Sequence, residues 1–126
     1  MVHLATSTTT GGAGASTATA TTPNPIHGII LWVYVKYNDS PPATTDITLA
    51  TTGSGSGAPP AQTILAIANA NTSGYFYPRV PEHLASTGAA ITDSYDWPVV
   101  MDTLTLTIAQ ANDGDSAEVW IGFEAN

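Results

Sequence analysis

Ten carboxylates and three histidines are the groups in this 126-residue chain that could move protons or hold a cation. The densest acidic stretch, Asn112-Asp113-Gly114-Asp115-Ser116, offers the clustered oxygens that a hard cation such as calcium requires. It departs from the EF-hand pattern D-x-[DN]-x-[DN]-G with a later Glu, and Asn, Asp and Gly are what a tight turn between two strands demands. The segment therefore reads as a hairpin turn. A looser group, Asp93, Asp96 and Asp102, flanks Tyr95 and Trp97 and suits a cation or a sugar hydroxyl. Its spacing fixes no two carboxyls on one face, so no general acid and base pair follows from it. His3, His27 and His83 lie too far apart for a metal-ligand motif, and no Ser and Asp are placed around them for nucleophilic catalysis. The absence of cysteine excludes thiolate metal sites, disulfides and a cysteine nucleophile. The loop from Gly53 to Pro60 matches neither a nucleophile elbow nor a phosphate-binding loop. The expectation is a chain with no catalytic residue, no metal and no cofactor.

Binding chemistry is better represented. Trp32, Trp97, Trp120, Tyr75, Phe76 and Tyr77 are able to stack on sugar rings or to pack in a core or subunit contact. Arg79 follows Tyr-Phe-Tyr-Pro and precedes an acidic, aromatic loop. It is expected to pin the Tyr75 to Pro81 segment by an ion pair with Asp93, Asp96 or Asp102, or else to anchor an interface, where Arg and aromatics are enriched. The residues expected at an interface are Thr8, Thr9, Thr10, Thr19 and Thr21 of the N-terminal stretch, with Trp32, Tyr34, Tyr75, Tyr77, Arg79 and Trp97.

The elements that must position these groups are strands. Ile26 to Tyr37 is dense in β-branched and aromatic residues, with Ile29, Leu31, Val33 and Val35 on one face and Ile30, Trp32 and Tyr34 on the other. It is expected to be central in its sheet, the first face in the core and Trp32 and Tyr34 turned toward a subunit contact or a returning arm. Thr45 to Thr51 and Ala61 to Ala68 read as further strands, with Ile47 and Leu49 pointing inward. The aromatic segment at Tyr75 should lie at an edge or stop at Pro78, which lacks a ladder donor. Residues 82–94 read as a loop. Leu104, Leu106 and Ile108 alternate with outward threonines, and Val119, Ile121 and Phe123 face inward after the Asp-Gly turn, so the chain closes on a β-hairpin. No helical period appears. Six or seven short strands between Gly, Pro, Asn and Asp turns predict an all-β antiparallel sandwich or jelly-roll-like barrel spanning residues 26–126.

Residues 1–25 differ in composition. Eight threonines fall in the first 22 positions, with no Asp, Glu, Lys or Arg, and the stretch has too little apolar bulk to build a core alone. An extended docking arm that pairs with a neighbour is expected, the alternative being an arm folded back on its own domain. A net charge of −8, with only Lys36 and Arg79 as basic residues, argues against nucleic-acid binding and for a solvated outer face. The start resembles no signal peptide and the apolar runs are far short of the ~20 residues of a membrane helix, so a soluble protein away from membranes is expected.

Several stretches carry a resemblance: Pro42-Ala43-Thr44-Thr45-Asp46-Ile47-Thr48-Leu49-Ala50, Pro60-Ala61-Gln62-Thr63-Ile64-Leu65, and Asn71-Thr72-Ser73-Gly74-Tyr75-Phe76-Tyr77-Pro78-Arg79. Gly88-Ala89-Ala90-Ile91-Thr92 and Pro98 to Asn112 complete it. Through these, residues 26 to about 124 resemble small structural proteins of tailed bacteriophages, most nearly the head-decoration or cement proteins. The resemblance implies a non-enzymatic virion protein on the outer capsid surface, partnered by the major capsid protein and by itself, often as a trimer, that stabilises the shell by bridging capsomers. It supplies no contact residues. Other virion roles (a tail, fibre or head-fibre subunit), a carbohydrate-binding module using Tyr75 to Tyr77 and Trp97, and a hydrolase are the alternatives.

Overall fold

The computed structural model describes residues 1–53 and 58–125; the Gly/Ser linker expected around residues 53–60 falls partly on 54–57, outside the described residues. Among the described residues there are eleven strands and no helix. One antiparallel sheet runs in the order β1 (Val2–Ala5), β11 (Ser116–Ala125), β3 (Ile26–Asn38), β6 (Gly74–Phe76), and β9 (Val99–Asp102) pairs with the other end of β3. The second runs β2 (Ser16–Thr21), β10 (Leu104–Ala111), β4 (Asp46–Thr51), β5 (Thr63–Ile67). A separate two-stranded ribbon, β7 (Val80–His83) with β8 (Ala90–Asp96), is inserted between β6 and β9. The fold is an all-β antiparallel sandwich.

Alternation builds the core. Ile47 and Leu49 of β4, Leu104, Leu106 and Ile108 of β10, and Val119 and Ile121 of β11 are fully buried in one cluster shared by both sheets. Each such side chain withdrawn from water contributes about 1.5–3 kcal/mol. The threonines between them form the outer face of the second sheet, where the Thr21 and Thr105 hydroxyls meet at 3.0 Å and Thr52 reaches Thr105 at 3.0 Å.

The long strand β3 is central, as its composition predicts, and Val33 and Val35 face the core as expected, but Ile29 and Leu31 do not. Ile26 and Ile30 are buried at one end and Val33, Val35 and Tyr37 at the other, while Ile29 and Leu31 are only half-buried. The cause is a bulge. Phe123 pairs with Ile30 and Gly122 with Trp32, leaving Leu31 as the extra residue. An inserted residue flips the parity of everything after it. The strand thus serves one core from two successive phases, Ile26 and Ile30 before the bulge and Val33, Val35 and Tyr37 after it.

Residues 1–25 are not an arm reaching elsewhere. β1 pairs with β11 through Leu4↔Val119, and β2 pairs with β10 through Thr19↔Thr107 and Thr21↔Thr105. A boundary at residue 25 would remove one strand from each sheet, so the N-terminal stretch is the arm folded back on its own domain. Its inward groups are small: Ala18 and Ala20 lie against the core beside Leu4. Backbone pairing does the rest.

The last two strands also differ from expectation. β10 and β11 belong to different sheets, so Asn112 to Asp115 is an arch between layers and not a hairpin turn. Gly114 takes a φ of 87° there, a left-handed conformation that glycine adopts without a Cβ clash. The arch is held from the N-terminal side, where Gly114 N–H donates to Thr9 O at 2.9 Å and Thr9 N–H to Asp115 O at 2.7 Å. The segment read as a loop at 82–94 contains most of the β7–β8 ribbon, turned at Gly88.

Tyr37 carries the fold's unusual polar group. Its hydroxyl is buried and, among the described residues, has no hydrogen-bond partner. Burial first, and the charge of Asp46 second, raise the phenol above its ordinary value of 10.0. A raised folded-state value contributes stability that is complete below the ordinary tyrosine range and is lost as pH climbs through the folded value. Tyr37→Phe removes an unsatisfied donor worth about 1–3 kcal/mol of burial cost. Melts followed from neutral pH to about pH 11 should show an unchanged or higher midpoint for the variant at neutrality and a flatter alkaline decline. A variant that melts well below wild type at neutral pH would show that the hydroxyl is bonded after all.

Candidate functional site

The outward faces of the two sheets differ in chemistry. The second sheet presents threonine and alanine; the first presents aromatic rings. Outward positions on β6, β3, β11 and β1 fall into register as Tyr75↔Tyr34, Tyr34↔Trp120 and Trp120↔His3, so one row of rings crosses four strands. Ring centroids are 4.8 Å apart for Tyr34–Tyr75, 5.9 Å for Tyr34–Trp120 and 4.6 Å for His3–Trp120. Trp32 joins from the next row, edge-on to Tyr75 at 5.7 Å. Its indole lies across Gly122, where a Cβ would collide with the ring. Trp32, Tyr34, Tyr75, Trp120 and Met1 line a shallow cleft of about 260 Å³.

The row on the other side of the rings is polar. Lys36 and Glu118 face each other across β3 and β11. The Glu118 carboxylate accepts from Asn38 Nδ2 at 3.1 Å and pairs with His3 Nε2 at 2.9 Å and Lys36 Nζ at 3.6 Å. The hydrogen bonds from Asn38 and His3, with the Lys36 charge behind them, hold this carboxyl below the usual glutamate range.

Trp32, Tyr34 and Tyr75 are brought together as one surface. Tyr77, Arg79 and Trp97 lie instead at the base of the β7–β8 ribbon. There the Arg79 guanidinium sits 3.3 Å over the Trp97 ring centroid and donates to Pro78 O at 2.7 Å. The expected ion pair of Arg79 with Asp93, Asp96 or Asp102 does not form among the described residues. Two of those carboxylates are turned back on backbone: Asp102 accepts from Gly53 N–H and Thr103 N–H, and Asp96 from Trp97 N–H. A cation over an indole face pins the segment in the ion pair's place.

Of the N-terminal threonines, Thr8, Thr10, Thr19 and Thr21 are exposed, while Thr9 is buried and bonded to Asn112 O, so Thr9 is unavailable to a partner. Trp120 is among the rings the sequence offers for stacking but not among the expected interface residues, and His3, Met1 and Glu118 were not expected at this surface. Trp120 carried half a signal, an outward position between inward Val119 and Ile121. Its neighbours depend on cross-strand register. The chain was compared with protein-family models, curated proteins and solved structures, and none matches. Among the described residues, no three His, Asp or Glu side chains are grouped to hold a metal, and no helix is long and apolar enough to cross a membrane.

Proposed function

We propose that this chain is a non-catalytic structural protein of a tailed-bacteriophage virion, which binds the outer capsid surface and stabilises the shell by bridging capsomers. The observation that carries the reading is the β7–β8 ribbon. Residues 81–93 and 95–97 are all exposed, including Leu84 at 47%, Ile91 at 37% and Tyr95 at 59%. A two-stranded ribbon alone is marginally stable in water. One that projects apolar side chains from a well-packed sandwich suits a partner that covers it. The strand that follows, β9, exposes further apolar side chains, Val99 at 54% and Met101 at 72%. The ribbon takes over the docking role first expected of the N-terminal stretch. A projecting ribbon reaches a neighbouring capsomer that the compact sandwich does not, and a protein that binds only the assembled shell stabilises it by mass action. Acidity suits the outer position, since the capsid interior holds polyanionic DNA.

The test is co-sedimentation with mature capsids of the phage that encodes the chain. The wild-type chain should bind and raise the temperature of capsid disruption. A Leu84→Asp, Ile91→Asp variant should keep the sandwich's own melting midpoint but bind at least about tenfold more weakly, as loss of two interface anchors predicts. Equal occupancy for the two would remove the ribbon from the interface, and a wild-type chain that binds no capsid would refute the reading.

A further inference from the structure

The aromatic row lies on the outer sheet face, and its chemistry is independent of the ribbon's. We infer that it is a binding site for a linear, neutral oligosaccharide laid across the strands. A pyranose presents C–H faces that stack on aromatic rings and equatorial hydroxyls that need hydrogen-bonding groups beside those rings. Both are in place. Tyr75, Tyr34, Trp120 and His3 follow one another at 4.8, 5.9 and 4.6 Å. That spacing follows from the strand separation of about 4.8 Å and matches the size of a single sugar ring. The row spans about 14 Å from β6 to β1, room for several sugars in succession.

The neighbouring row offers Lys36 Nζ and the Glu118 carboxylate along the same line. The rings are mutually tilted, 59° for Tyr34–Tyr75 and 68° for Trp32–Tyr75, so they wall a cleft and do not present a flat apolar plate. Charge narrows the ligand further. Lys36 pairs with Glu118 within the site, and the chain's net charge of −8 repels polyanions. A second copy of the chain suits the site less well. The ring row and its polar border, from Lys36 to Trp32 on β3 and Glu118 to Gly122 on β11, place no outward Leu, Ile or Val for a partner to bury; the exposed apolar groups of this face are Met1 in the cleft and, beyond Trp32, half-buried Ile29 and Leu31 with Val99 and Met101.

The experiment titrates the full chain with linear gluco-, manno-, xylo- and N-acetylglucosamine oligosaccharides of about four to six units and with their monosaccharides, up to about 10 mM, read by tryptophan fluorescence and calorimetry. At least one series should bind, with affinity rising about tenfold or more from the single sugar to the oligomer as further rings are engaged. Tyr75→Ala, an exposed position on an edge strand, should weaken that binding about tenfold; loss of its contacts with Trp32 and Tyr34 lowers the melting midpoint by several degrees but leaves the chain folded and cooperative at the titration temperature. Tyr95→Ala, on the ribbon, should leave it unchanged. Failure of every series to bind would overturn the inference. So would self-association of the wild-type chain that Tyr75→Ala abolishes in the absence of any sugar binding, which would assign the face to a second copy.

Discussion

A chain lacking residues 1–21 is expected to have no cooperative thermal transition. The truncation takes the edge strand from each sheet, β1 from β11 and β2 from β10. Four residue pairs are lost on the first side and five on the second. With each ladder hydrogen bond contributing about 0.5–1.5 kcal/mol net, their removal costs several kcal/mol. Leu4, 7% exposed, adds about 1.5–3 kcal/mol of lost burial, and Val2, Ala18 and Ala20 leave the core's margin with it. The arch between β10 and β11 loses Thr9, whose backbone groups hold Gly114 and Asp115, and buried Ala117 N–H loses the Thr6 hydroxyl at 3.1 Å. These losses together rival the entire stability of a small domain, about 5–15 kcal/mol. The two freshly exposed edges, on β10 and β11, are also open to pairing between chains. Circular dichroism and size exclusion decide the matter: broad melting and aggregation are the expected result, whereas a monomer that melts as sharply as wild type would restore residues 1–25 to the status of an independent arm.

That outcome bears on what composition reveals. Ser16-Thr17-Ala18-Thr19-Ala20-Thr21 alternates as strictly as any strand in the chain, but its inward residues are a serine and two alanines, whose burial barely registers as hydrophobic periodicity. Edge strands that close a sandwich need little bulk, so a real strand and a Thr/Ala-rich tail look alike until the pairing partner is known. The clean alternation in β4, β10 and β11 was legible because a single parity runs through each stretch of core residues. In β3 it misled, because Leu31 is a bulge and no periodic reading shows where parity resets when both phases are apolar. The Asp113-Gly114 turn has the same local chemistry in an arch as in a hairpin, and only the sheet assignment of the strands it joins separates the two. The aromatic site divides in the same way. Trp32, Tyr34 and Tyr75 stood out as residue types, whereas His3 and Glu118 belong to it only because Trp120 is opposite Tyr34 on one side and His3 on the other, a register that no local signal encodes.

Gly122→Ala tests whether that register and the bulge hold the aromatic face together. Gly122 is buried on β11, at the point where the pairing with β3 shifts. A Cβ there would fall inside van der Waals contact of Trp32 Cδ2, Cε2 and Nε1. The indole has to swing away, giving up its edge-on contact with Tyr75. Overpacking of this kind costs about 1–3 kcal/mol and the lost aromatic pair about 0.5–1.5 kcal/mol. Against these, replacing glycine within a strand returns about 0.5–1 kcal/mol of backbone entropy. A net loss of about 2–3 kcal/mol, or a melting midpoint lower by about 10 °C, is expected. The double-mutant cycle separates a clash with Trp32 from a backbone requirement for glycine at the bulge. If the ring is the obstacle, adding Gly122→Ala to a Trp32→Ala chain costs nothing further and returns part of the glycine entropy, because the three atoms nearest a Cβ at residue 122 all belong to the Trp32 indole. If the bulge itself demands glycine, the second substitution costs as much in the Trp32→Ala background as in wild type. The strand conformation at Gly122, which needs no positive φ, favours the first result, in which one indole spread over one glycine sets the shape of the cleft.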